Sequence, residues 1–146
     1  MISVPNLHPP LTSFPVALIV VGLGLELIAS TFSHGPLKFS ALIIVSLAAF
    51  FTILTYVSGY HGIQFVSPEQ LLGNEDSLER HQLFGKLMLF LSVVTAALGV
   101  ASHLATERRR LFRGLYWGML FLCTVGILYT ASLGGALVYD LGFGVK

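Results

Sequence analysis

Long apolar segments alternate with short polar ones along the whole chain. Runs of mainly apolar residues cover positions 11–32, 39–61, 83–103 and 111–139. An α-helix of about 20 residues crosses a hydrocarbon core of about 30 Å, so each run is long enough to span a membrane. Asp76 and Glu79 have the spacing of a capping box, which extends the third helix back to about Ser77. The pattern predicts four transmembrane helices, at about 11–32, 39–61, 77–103 and 111–139.

Composition supports the same class of protein. Of the 146 residues, 55% are hydrophobic and 10% are charged, and the mean hydropathy is +0.83. Soluble domains carry about 25% charged residues, so this chain has too few to cover a surface that faces water. A net charge of +1 excludes the broad basic face that nucleic-acid binding requires. We therefore expect a single all-α domain over residues 1–146, folded in the lipid bilayer as a four-helix bundle.

The connections and the basic residues predict how the bundle is oriented. Segments 33–38 and 104–110 are short, so neighbouring helices should pack antiparallel. Lysine and arginine prefer the cytoplasmic side of a bacterial inner membrane. The residues that place both short segments there are Lys38, Arg108, Arg109, Arg110 and Arg113. Both termini and the long segment 62–80 then lie outside, where a loop of that length is suited to docking a partner.

Five histidines are the most informative polar residues, because an ionisable group near the membrane is costly and usually has a function. The predicted topology places His8, His61 and His81 near the outer face, and His34 and His103 near the inner face. A histidine at the membrane–water interface does not require a ligand, because its side chain can extend towards the lipid headgroups. Three on one side favour a binding site for a metal ion or a cofactor.

The third predicted helix carries small or slim residues on the face that joins His81 to His103. At spacings of three and four this stripe contains Gly85, Met88, Ser92, Ala96 and Gly99. Small residues allow close packing of membrane helices, which requires no ligand. Alternatively, they leave room for a flat macrocycle beneath a histidine ligand.

Glu26 is the one carboxyl group in the middle of a predicted transmembrane helix. A carboxyl group in hydrocarbon is costly unless it is protonated or paired. Its candidate partners on the inner side are His34, His103 and Lys38. We expect Glu26, His34 and His103 to form a structural inner-face cluster, although a second cofactor between the two histidines is conceivable.

Three stretches resemble a family of small four-helix bacterial membrane proteins that is catalogued as a domain of unknown function. They are His8-Pro9-Pro10 with Phe14-Pro15, the run Glu79-Arg80-His81-Gln82-Leu83-Phe84-Gly85-Lys86, and Gly134-Gly135 with Val138-Tyr139. Members often have a second histidine directly before the Phe-Pro pair, where this chain has Ser13. Many also have an acidic residue in the inner half of the first helix, as Glu26 is here. The resemblance implies the four-helix fold and does not imply an activity.

Two classes of function are compatible with these residues. In the first, two of His8, His61 and His81 bind a b-type haem, and the chain is an electron-transfer subunit that serves a quinol or a redox partner. A copper or zinc ion held by these imidazoles is a close variant. In the second, the chain is a non-catalytic anchor or assembly subunit of a larger complex. Since no catalytic set of residues is evident, both classes favour a subunit over a stand-alone enzyme.

Overall fold

Four long helices form the structure, as the apolar pattern predicts. The computed structural model describes residues 8–63 and 66–143, and in this part of the chain there are five helices and no strand. They are α1 (His8–Thr31), α2 (Gly35–Gly62), the short α3 (Pro68–Leu71), α4 (Glu75–Leu104) and α5 (Arg109–Tyr139). All but α3 are long and apolar enough to cross a membrane. The all-α four-helix prediction is confirmed.

The four long helices pack in a closed square. Helix α1 packs against α2 and α5, and α4 packs against the same two helices. Consequently α1 and α4 lie on one diagonal of the square, and α2 and α5 lie on the other. We call the end where α1 and α4 begin the histidine end, and the end where α2 and α5 begin the arginine end.

The surface of the bundle is apolar and its centre is tightly packed. Side chains such as Phe50, Phe90 and Phe121 are more than half exposed, whereas Tyr116 and Cys123 are fully buried. So much exposed apolar surface would drive aggregation in water, but it suits contact with lipid. Cys123 is a core residue, as expected for a small side chain at mid-helix.

The connection between α2 and α4 is shorter than the predicted segment 62–80, and it contains the short helix α3. Helix α4 begins at Glu75, two residues before the predicted start near Ser77, and its N-cap Asn74 makes no side-chain capping bond, so the predicted capping box of Asp76 and Glu79 is not formed. The capping box belongs instead to α3, where Ser67 and Gln70 each accept a hydrogen bond from the other's backbone N–H. Pro68 follows Ser67 directly, and proline at the first helical position favours a helix start there.

Candidate cofactor site

Two histidines from diagonally opposite helices meet at the histidine end. His8 is the first residue of α1, and His81 lies in the second turn of α4. Their ring centroids are 6.4 Å apart, and the ring planes are nearly perpendicular at 77°. The two imidazoles are therefore close neighbours in a T-shaped arrangement at this end of the bundle.

Hydrogen bonds from α2 fix the orientation of the His8 ring. Its Nδ1 lies 3.0 Å from the carbonyl oxygen of Thr55 and 3.1 Å from Oγ of Ser58. The Ser58 hydroxyl donates its own hydrogen to the Thr55 carbonyl, at 2.8 Å. Because a carbonyl can only accept, His8 Nδ1 must be the protonated nitrogen. Nε2 of the neutral ring then keeps its lone pair, which is the arrangement that metal-binding histidines use.

Two glycines, one on α2 and one on α5, provide the space for the two rings. A Cβ added to Gly59 of α2 would lie 2.7 Å from Cε1 of His8, and one added to Gly134 of α5 would lie 3.0 Å from Cε1 of His81. Any larger residue at position 59 would displace the His8 ring. The sequence gives no distinct signal for Gly59, because a glycine in a membrane helix is usually explained by helix packing alone.

His81 has an unsatisfied polar atom. Its Nδ1 is buried and makes no hydrogen bond within the usual distance and angle limits among the described residues, with the backbone of Thr130 close to the ring. Buried nitrogen atoms are nearly always paired, and an unpaired one requires an explanation. Gly85 lies one turn further along α4, and no other part of the structure lies within 4 Å of the place where its Cβ would stand. The Nδ1 of His81 thus has unused bonding capacity.

The small-residue stripe of α4 has two different roles along its length. At its arginine end, a Cβ on Gly99 would lie 2.8 Å from Leu42 and 3.0 Å from the ring of Tyr116, so this glycine permits close helix packing. At its histidine end, Gly85 has no such neighbour. Close packing therefore explains Gly99 but leaves Gly85 unexplained.

The third predicted outer histidine lies apart from this pair. His61 is exposed, and its ring neighbours that of Tyr60 at a centroid distance of 5.9 Å. Within residues 8–63 and 66–143, no group of three or more His, Cys, Asp or Glu side chains could hold a metal ion. Of the three outer histidines, the structure brings together His8 and His81.

At the arginine end, Glu26 is paired with Arg113, which was not among its predicted partners. Glu26 is fully buried and accepts two hydrogen bonds from the guanidinium of Arg113, with Nη1 at 3.3 Å from Oε1. The prediction that His34, His103 or Lys38 pairs with Glu26 is wrong. Arg113 lies in the second turn of α5, which packs directly against α1, and its long side chain reaches into the bundle.

The two histidines at the arginine end make hydrogen bonds within their own helices. His34 caps α2, because its Nδ1 accepts a hydrogen bond from the backbone N–H of Leu37. Nδ1 of His103 lies 3.0 Å from the carbonyl oxygen of Gly99, one turn back in α4. In the described part of the chain, neither histidine is hydrogen-bonded to Glu26 or to the other. Their local contacts are structural.

The fold and its apolar surface define a multi-pass membrane protein. Residues 4–146 match the family described as "Predicted membrane protein (DUF2231)". The chain belongs to this family, in agreement with the resemblance seen in its motifs. No curated protein and no solved structure matches the chain.

Proposed function

We propose that this chain is a membrane-bound electron-transfer protein that binds one b-type haem at the histidine end, with His8 and His81 as the axial ligands. The carrying observation is the distance between the two rings. Two metal–nitrogen bonds of about 2.0 Å in line, and about 1.1 Å from each nitrogen to its ring centroid, give a centroid separation of about 6.2 Å. The separation in the structure is 6.4 Å.

The number of ligands favours haem over a bare zinc ion. Zinc in proteins takes four ligands, and the histidine end offers two neighbouring imidazoles. Haem iron is already held by four porphyrin nitrogens and needs only two axial ligands. A copper ion held by the same two rings is the second candidate, because imidazole also suits copper and the ring separation does not depend on a macrocycle.

The surrounding residues fit this assignment. The Thr55 carbonyl holds His8 Nδ1–H, which leaves Nε2 as the unprotonated nitrogen that could bind iron. Gly59 and Gly134 accommodate the two rings. When bound, haem would supply one-electron chemistry, and the role of the chain is to fix both imidazoles on rigid helices.

The basic residues at the opposite end suggest where the electrons would be exchanged. Positive residues favour the cytoplasmic side, so the histidine end would face outwards in a bacterial inner membrane. A single haem there would serve a quinol or an outer-side partner, and it could not by itself carry electrons across a core of about 30 Å. The segment that contains α3 borders this end and is tied to the C-terminal region by a hydrogen bond from Gln70 to the Gly142 carbonyl, so we propose it as the docking surface for that partner.

Histidine variants of the full chain test the proposal. Each is expressed with added haem, purified in detergent, and its absorption spectrum is recorded before and after reduction. His8→Ala and His81→Ala should lose the low-spin haem spectrum, whereas His61→Ala, the matched control with an exposed ring, should keep it. If His61→Ala is as severe as His81→Ala, the assignment of the ligands is wrong. Wild-type protein with one copper ion and no haem would favour the second candidate.

A further inference from the structure

The arginine end contains an open cavity of about 700 Å³ whose lining is strongly basic. It lies where α2 and α5 begin and α4 ends. The charged residues that line it are Lys38, Arg109, Arg110, Arg113 and a single carboxylate, Glu107, with His103 beside them. Four cations and one anion therefore converge on one space.

Most of this positive charge is not neutralised within the described part of the chain. There, the only salt bridge joins Arg113 to Glu26. Among residues 8–63 and 66–143, no carboxylate oxygen lies within 4.0 Å of the charged groups of Lys38, Arg109 and Arg110, and the carboxylate in the lining is that of Glu107. Like charges so close together repel each other, and an anion in the cavity would relieve that repulsion.

Helix α5 adds further donors to the same place. Arg108 precedes its first turn without making a side-chain capping bond. The first backbone N–H groups of a helix have no partner within the helix, and together with its dipole they attract anions. This helix start and the basic side chains border one cavity, so they can act on the same ligand.

We propose that this cavity binds a phosphate group, as carried by the headgroup of an anionic phospholipid. Arginine presents a planar fork of donors that matches phosphate oxygens in pairs, and Lys38 adds a point charge from α2. Exposed apolar side chains directly follow two of the basic residues in sequence: Phe39 follows Lys38 and is 59% exposed, and Leu111 follows Arg110 and is 56% exposed. They provide apolar contact for acyl chains beside a charged headgroup. Basic pockets between transmembrane helices on the cytoplasmic side are suited to such headgroups.

A binding titration of the purified full chain tests this site. The midpoint of thermal unfolding in a neutral detergent is followed against three ligands, and the shift gives the affinity of each. Short-chain phosphatidylglycerol carries both phosphate and acyl chains, inorganic phosphate carries the anion alone, and a fatty-acid carboxylate of equal chain length carries an anionic head without phosphate. We expect phosphatidylglycerol to bind at least tenfold more tightly than the carboxylate. Tighter binding of inorganic phosphate than of the lipid would identify a soluble phosphate as the source.

A double variant assigns the binding to the cavity. Arg109→Gln with Arg110→Gln should weaken phosphatidylglycerol binding about 25-fold, at about fivefold for each arginine. Arg80→Gln with Lys86→Gln, on α4 towards the histidine end, makes the same change in net charge and should leave the affinity within about twofold. Arg113 is kept in both, so the pair with Glu26 stays intact. Equal losses in the two variants, or equal binding of lipid and carboxylate, would overturn the proposal.

Discussion

Replacing Gly59 with alanine places a methyl group where the His8 ring now lies. The new Cβ would be 2.7 Å from Cε1 and 3.0 Å from Nδ1 of His8, and the former distance is shorter than real Cβ contacts allow. The ring must therefore move, and its bond from Nδ1 to the Thr55 carbonyl must lengthen or break. Gly59→Ala thus tests whether the absence of a side chain at position 59 is what allows the His8 ring to occupy its position.

The expected cost combines three contributions. Overpacking of a filled site costs about 1–3 kcal/mol, and loss of a hydrogen bond costs about 1 kcal/mol. Alanine in place of glycine within a helix returns up to about 1 kcal/mol. The net expectation is a loss of about 1–3 kcal/mol in the free energy of unfolding. Gly62→Ala is the matched control, because no atom lies within 4 Å of its Cβ position at the end of the same helix.

The assay is reversible unfolding in mixed micelles, followed by circular dichroism, for both variants beside the wild type. Gly62→Ala should be neutral or slightly stabilising, and Gly59→Ala should be destabilised and should bind haem less tightly because His8 is displaced. If the two alanine variants have the same stability and the same spectrum, Gly59 does not determine the position of the His8 ring.

Two further predictions concern the opposite end and the orientation of the bundle. Glu26→Gln removes one partner of a buried ion pair and should lower the free energy of unfolding by about 2–4 kcal/mol, somewhat less than for a fully enclosed pair because Arg113 is 23% exposed. Replacing both residues by leucine should recover most of that loss in the same unfolding assay, and a double variant less stable than Glu26→Gln would contradict it. For topology, single cysteines at Ser67 and Ser77 should react with an impermeant thiol reagent in intact cells, and one at Thr106 should not. Labelling at Thr106 alone would invert the orientation.

The helices could be predicted from the sequence because the spacing and length of apolar runs are direct consequences of membrane thickness. Their ends were less predictable. Asp76-x-x-Glu79 and Ser67-x-x-Gln70 both have capping spacing, and only the second forms reciprocal bonds. The two sequence signals are equally good, so the tertiary packing around each segment decides which of them forms a capping box.

For the candidate site, the sequence predicted the end of the bundle that it occupies but not which histidines pair there. Topology places His8, His61 and His81 at one end, but it does not say which way each side chain points. His61 follows Gly59 by two residues, about 200° further round α2, and is exposed for that reason. The pairing of Glu26 with Arg113 likewise requires knowing that α1 and α5 are neighbours, which the order of helices along the chain does not fix.

The most direct test of the central claim is the number of haem groups per polypeptide in the purified wild-type protein. Haem is extracted and quantified against protein, and copper and zinc are measured in the same sample. The proposed site predicts one haem, lost in His81→Ala and retained in His103→Ala. If protein expressed with an excess of added haem contains neither haem nor a stoichiometric metal, the redox assignment is contradicted. The chain would then act as a non-catalytic anchor. A ratio of two that falls to one in His103→Ala would instead show a second site at the arginine end.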